Sequence, residues 1–225
     1  MTDVKGSARP YSSPLRAQQA AATRRAVLNA ARELFIAQGY GATTLDQIAA
    51  RAGVSKPTVF TAVGNKQTLL STVRDVAMAG DDEKLSMVER PLAEQIRAEP
   101  DPHRAVELLA GLFTGVGRRY ALIDEVLRGA AHSGEPGLRE LWQTSEQQRL
   151  TGARIWATTL AGKGPFRDGV DVEIATDLLW LHMAPDQYHR LVHVRGWSDD
   201  RFQQWLTHSL AGLLLPPGRT TDPVA

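Results

Sequence analysis

Three histidines are the first residues whose spacing could do chemistry. His189 and His193 stand four residues apart, the interval that lets one helix face grip a metal, and His182 lies upstream. A site would need a carboxylate as well. Asp186 is the one at hand, and Pro185 beside it breaks the helical register. Polar-surface or dimer-edge histidines, with no metal, are therefore expected. Gly162-Lys163-Gly164 lacks the upstream glycine and the following hydroxyl of a phosphate-cradling loop. Ser133 lacks the flanking glycines of a nucleophile elbow. Asp81-Asp82-Glu83 reads as an acidic helix start that complements the helix dipole. The chain has no cysteine, which excludes disulfides, thiolate zinc sites, iron–sulfur clusters and cysteine nucleophiles. No spacing supports a catalytic set, so neither enzyme chemistry nor a cofactor is expected.

The charge distribution is more informative. The 225 residues carry a net charge of +1, but residues 1–75 carry +6 and the remainder −5. A basic head on a mildly acidic body points to a polyanion at one end and a different task at the other. Within the head, two short helical segments meet at Gly53. Thr44 to Ala52 opens on a capping hydroxyl and turns Leu45, Ile48 and Ala49 inward, and Ser55 caps a second segment with Pro57 in its first turn. This is the pattern of a helix-turn-helix. Ala49 must be small where the second helix crosses, Gly53 supplies a positive φ, and Val54 fills the angle. At about 100° per residue, Val59 and Val63 share the buried side of the second helix. Thr61 lies opposite, between Pro57 and Thr58, so these three should face a major groove. Lys56 lies nearer the packed side, where its long stem reaches a phosphate more readily than a base edge.

These elements sit in a chain that reads as all-α: an N-terminal three-helix domain with a helix-turn-helix, then a larger helical domain. Residues 1–22, with Lys5, Arg9, Arg16 and two prolines, read as a loose basic arm. From Thr23 a helical stripe runs through Val27, Ala30, Ala31, Leu34 and Phe35 to a stop at Gly39. A fourth helix is expected from Lys66 to Ala79. The expected division is an arm over 1–22, a helix-turn-helix domain over 23–79, a larger helical domain over 80–215, and a tail over 216–225. The segment from Asp171 to about His193 is apolar and interrupted at Pro185; a last helix should end near Leu215. No period-two alternation marks a strand. No apolar run approaches a membrane span and no secretory leader is evident, so a cytoplasmic location without membrane association is expected.

The run Ala30-Ala31-Arg32-Glu33-Leu34-Phe35, Gly39-Tyr40, Thr43-Thr44-Leu45-Asp46-Gln47-Ile48-Ala49, Ala52-Gly53-Val54-Ser55-Lys56-Pro57-Thr58-Val59-Phe60 and Asn65-Lys66-Gln67-Thr68-Leu69-Leu70 resembles the DNA-binding domain of TetR-family transcriptional regulators. The resemblance covers about residues 23–70. It implies a homodimer on double-stranded operator DNA, with the third helix in the major groove and a C-terminal domain that binds a small ligand and dimerises. It also implies phosphate contacts at Thr44 and Lys66, and a groove-facing stretch made of Ser55, Lys56, Pro57, Thr58 and Thr61. Phe60 departs from the family's usual tyrosine, and Ala62-Val63 from its frequent His-Phe pair.

For the body, Phe113, Tyr120, Trp142 and Trp156 on long central helices read as ordinary core, or, as the resemblance implies, as the lining of an apolar ligand pocket with Met78 and Met87 as floor. The last helices read as a four-helix dimer surface carrying Leu178, Met183, Phe202, Trp205, Leu206, Leu210 and Leu213. The function expected is a dimeric, ligand-responsive, sequence-specific DNA-binding regulator, in the first instance a repressor on a palindrome. Its rivals are a sequence-nonspecific DNA-binding protein and a helical small-molecule-binding enzyme.

Overall fold

The computed structural model describes residues 14–80, 90–135 and 137–217, and every regular element in them is helical. The order is α1 (Pro14–Ala42), α2 (Leu45–Ala52), α3 (Lys56–Ala62), α4 (Lys66–Ala79), α5 (Pro91–Ala98), α6 (Pro102–His132), α7 (Leu138–Ala161), α8 (Val172–His182), α9 (Pro185–Tyr188), a π-helical turn (His189–Val194) and α10 (Asp199–Leu214).

Helix α1 starts upstream of the expected Thr23 cap. Residues 14–22 are helical and exposed, not part of a loose arm, because Leu15 to Ala22 is a run of strong helix formers that extends an established helix cheaply. The helix kinks at Gly39, whose φ of 79° is open to glycine. The segment over Asp171–His193 divides into three pieces. Met183 ends α8, and Pro185, which cannot donate to the preceding turn, begins α9 as an N-terminal residue.

Two apolar cores form, and α6 belongs to both. Its first half gives Val106, Leu109 and Phe113 to a body core with Trp156, Leu179, Phe202, Leu206 and Leu210. Its second half gives Val116, Tyr120, Ile123 and Leu127 to a head core with Val27, Phe35, Ile48, Val59, Leu69 and Val73. The head thus packs on the body through α1 and α4 against α6, and the end of α4 at Ala79 is no gap in the packing. Arg119 of α6 fastens the junction. Its carbonyl accepts from Arg32 of α1, and its guanidinium donates to the Ala77 and Met78 carbonyls that end α4. At Gly117 a Cβ would stand 2.6 Å from the Tyr188 ring, so only glycine lets α9 approach α6 this closely.

Candidate functional site

The head assembles from local capping. Thr44 and Gln47 form a reciprocal capping box: the Gln47 N–H donates to Thr44 Oγ1 at 3.2 Å and the Thr44 N–H to Gln47 Oε1 at 2.8 Å. Gly53, at φ 68°, ends α2, and the Val54 N–H returns to the Ala49 carbonyl at 3.0 Å. Ser55 then caps α3 by accepting from the Thr58 N–H, and the Ser55 and Thr58 hydroxyls lie 2.7 Å apart. Val59 is fully buried, which sets α3 against the core, while Ser55, Lys56, Pro57, Phe60 and Thr61 lie on the exposed side. Thr58 is half-buried.

Most polar groups of this face are engaged within the head. Lys56 Nζ sits 2.9 Å from Asp46 Oδ2, an exposed pair on adjacent helices. Thr61 donates its hydroxyl to the Pro57 carbonyl at 2.9 Å. What remains outward is apolar: the Pro57 ring, the Thr61 methyl and the Phe60 ring, which is 60% exposed. Arg24 of α1, not singled out by the sequence reading, donates to the Ala62 carbonyl at the end of α3 at 2.9 Å. Lys66 differs from its expected role. Its ammonium turns inward, 3.0 Å from the Tyr40 and Thr43 carbonyls and 4.1 Å from the centre of the Tyr40 ring. These carbonyls lie at and just past the end of α1, and that of Tyr40 also accepts from the Thr43 N–H at 3.2 Å; together they hold a cation that a phosphate would have to compete for.

In the body, a cavity of about 540 Å³ opens between α4, α6 and α7. Met78, Phe113, Tyr120 and Trp156 line it as expected. Trp142 does not; it packs on the head core, edge-on to His132. Met87 lies outside the described residues. Met183, expected in a dimer surface, lines the cavity with Pro185. Phe202, Leu206 and Leu210, also expected in a dimer surface, are each buried in the protomer's own core, since α10 packs on α6 and α8. Leu178, Trp205 and Leu213 are half-buried, and the outward apolar residues of this region are Ile155, Ile174 and Leu181.

Of the four charged residues that line the cavity, none singled out in the sequence, two are buried. Arg74 of α4 is 7% exposed and Asp124 of α6 is 6% exposed. Asp124 was legible in principle, since it stands one turn after Tyr120 on the same face of an apolar helix. Burial pushes the Asp124 carboxyl up to about 6, against the pull of its hydrogen bond with Tyr120. Burial also pushes the Tyr120 hydroxyl up, helped by the Asp124 charge. Among the described residues, no three His, Asp or Glu side chains gather to hold a metal.

Fold and face together define a helix-turn-helix DNA-binding protein with a hollow helical body. Residues 27–73 match the family model for bacterial regulatory proteins of the tetR family. An uncharacterized HTH-type transcriptional regulator of Bacillus subtilis, YdeS, is 26% identical over 162 residues, which cover 70% of this chain and 74% of the relative. Two solved structures share the fold. A transcriptional regulator from Saccharomonospora viridis, in complex with choline, has a TM-score of 0.64 at 21% identity, covering 88% of this chain and 100% of the other. The regulator FadR of Bacillus subtilis, in complex with stearoyl-CoA, has a TM-score of 0.63 at 16% identity, covering 83% and 96%. Residues 27–73 thus carry a DNA-binding domain of the tetR family type, and the whole chain shares the fold of the two solved regulators. Among the described residues, no helix is long and apolar enough to cross a membrane.

Proposed function

We propose that this regulator is a repressor that binds a near-palindromic operator as a homodimer and leaves it when a small, largely apolar molecule enters the body cavity. One observation carries this reading: α4 borders both working parts. Its first residue, Lys66, holds the end of α1, and Arg74 and Met78, one turn apart near its other end, line the cavity. A helix moves as a unit, so a ligand that tilts the cavity end of α4 shifts the head that it anchors. DNA and ligand then favour different head positions, with a coupling of typically ~1–3 kcal/mol. The differing ligands of the two solved relatives, choline and stearoyl-CoA, support a responsive body without indicating what this cavity takes.

On DNA, α3 enters the major groove and Thr44 meets a phosphate at the N-terminus of α2. Because the hydroxyls of Ser55, Thr58 and Thr61 have partners within the head, Pro57, Phe60 and the Thr61 methyl read the groove by apolar contact, and thymine methyls are the matching feature. Two-fold symmetry places the two copies of α3 about one helical turn apart on DNA, ~34–36 Å. The half-exposed Leu178, Trp205 and Leu213, with Ile174 and Leu181, supply apolar surface for the partner.

Selection from a random DNA pool followed by footprinting tests the DNA part. A discrete palindrome covered by a dimer is expected, whereas uniform coverage would favour a nonspecific DNA-binding protein. Calorimetric titration of a ligand found by thermal-shift screening, with and without the selected DNA, tests the response. The selected DNA should weaken ligand binding by roughly 5–150-fold; equal affinities would refute the coupling.

A further inference from the structure

The cavity has a long apolar wall, formed by Met78, Phe113, Trp156 and Met183 among others, and a short polar one. Much of the polar wall is already satisfied. Ser145 and Thr151 donate to carbonyls of their own helix. Glu146 and Arg149 hold each other, and Arg149 also donates to the Trp180 carbonyl and lies over the Trp180 ring. Two groups are not closed in this way. Arg74 donates through one terminal nitrogen to Asp75, at 2.7 Å, and through the other to Gln148 of α7, with the Tyr120 hydroxyl also beside it; that leaves part of its five N–H donors unused, the buried Nε among them. Asp124 has the Tyr120 hydroxyl beside it, while Arg128 and Arg149, the cations nearest in charge, are paired with Glu125 and Glu146.

Building on the ligand-responsive reading above, we propose that the cavity binds an uncharged, mostly apolar molecule bearing one acceptor oxygen, such as a ketone, ester or amide carbonyl, with that oxygen accepting from the Arg74 guanidinium and with Asp124 excluding anions. A bare hydrocarbon offers the spare N–H groups of the Arg74 guanidinium no acceptor. A carboxylate meets it but brings a negative charge against Asp124 in a low-dielectric site, with Glu146 also close. An ammonium group suits Asp124 but faces the Arg74 and Arg149 guanidinium groups and gives Arg74 no acceptor. A neutral carbonyl incurs none of these costs. The inference also places the ligand's polar end on α4, the helix that reaches the head.

Four probes with one ring body separate the cases: 2-acetylnaphthalene, 2-ethylnaphthalene, 2-naphthoate and 2-naphthylmethylammonium. Each is titrated into the full chain by calorimetry at pH 7.5, without DNA. Acetylnaphthalene should bind at least tenfold tighter than the other three. Arg74→Met should remove its advantage over ethylnaphthalene, and Asp124→Asn should raise naphthoate affinity tenfold or more. Naphthoate should also bind the unaltered chain more tightly as pH falls through about 6, where Asp124 takes up its proton. An ammonium probe that binds tightest, an acetyl group no better than ethyl, unchanged naphthoate binding in Asp124→Asn, or no binding by any probe overturns the proposal. The acetyl–ethyl comparison on the unaltered chain decides the carbonyl contact even where Arg74→Met does not fold. Tight acetylnaphthalene binding that leaves DNA affinity unchanged would instead refute the regulatory reading alone.

Discussion

The head and the body treat polar groups in opposite ways. In the head, hydroxyls, amides and cations close on neighbours a few residues or one helix away: Thr44 with Gln47, Ser55 with Thr58, Lys56 with Asp46 and Lys66 with the end of α1. In the body, Arg74 and Asp124 are buried beside a cavity with part of their bonding capacity unused. The first arrangement fixes a shape before DNA arrives, so little ordering has to occur on binding. The second stores a cost that, on the proposed reading, a ligand would relieve.

The largest expected effect tests the body. The folded-state pKa of Asp124, about 6, lies above its value of about 3.9 in an unfolded chain. The favourable contribution of this carboxyl is complete below pH 4 and is lost as pH rises through 6. Asp124→Asn should therefore stabilise the protein at pH 7.5 by on the order of 1–3 kcal/mol, with the gain vanishing toward pH 4. Urea unfolding at several pH values measures this, and destabilisation at pH 7.5 would put Asp124 on the same footing as the head residues. In the head the sign reverses. Lys66→Ala removes two hydrogen bonds from a charged donor and should destabilise by about 2 kcal/mol. A variant as stable as the parent but weak on all DNA would return Lys66 to the phosphate role implied by the resemblance. The smallest effect concerns the reading face. Replacing a contacted thymine by deoxyuridine in the selected site removes only a methyl, which at about 0.8 kcal/mol per buried group costs roughly fourfold in affinity. Gel-shift titrations with single replacements check it, and indifference at every thymine would mean that Phe60 and Thr61 read something else.

The head was the more legible part of the sequence because its determinants are local. Caps at Thr44 and Ser55, the stop at Gly53 and the inward Val59 are all set within a turn or two of chain. Lys66 misled because the partner of its ammonium, the end of α1, lies more than twenty residues away. In the body, a stripe such as Phe202–Leu206–Leu210 announces that it will be buried but not by what. Burial in the protomer's own core and burial in a dimer have the same periodicity. The cavity aromatics were legible as a set, whereas Trp142 fell to the other core through the packing of α7, a long-range matter. Arg74 escaped notice because a charged residue beside Asp75 looks like solvated surface until α6 and α7 cover it.

The two cores meet along α6, and this limits how such a regulator can be taken apart. A hybrid made by joining this head to a foreign body after Ala79 would lose Val116, Tyr120, Ile123 and Leu127, on which α1 and α4 rest. The DNA reader is thus not an interchangeable cartridge. A workable graft must carry the second half of α6 along with it, and new pairings of reader and sensor arise more readily by altering cavity side chains than by exchanging whole segments.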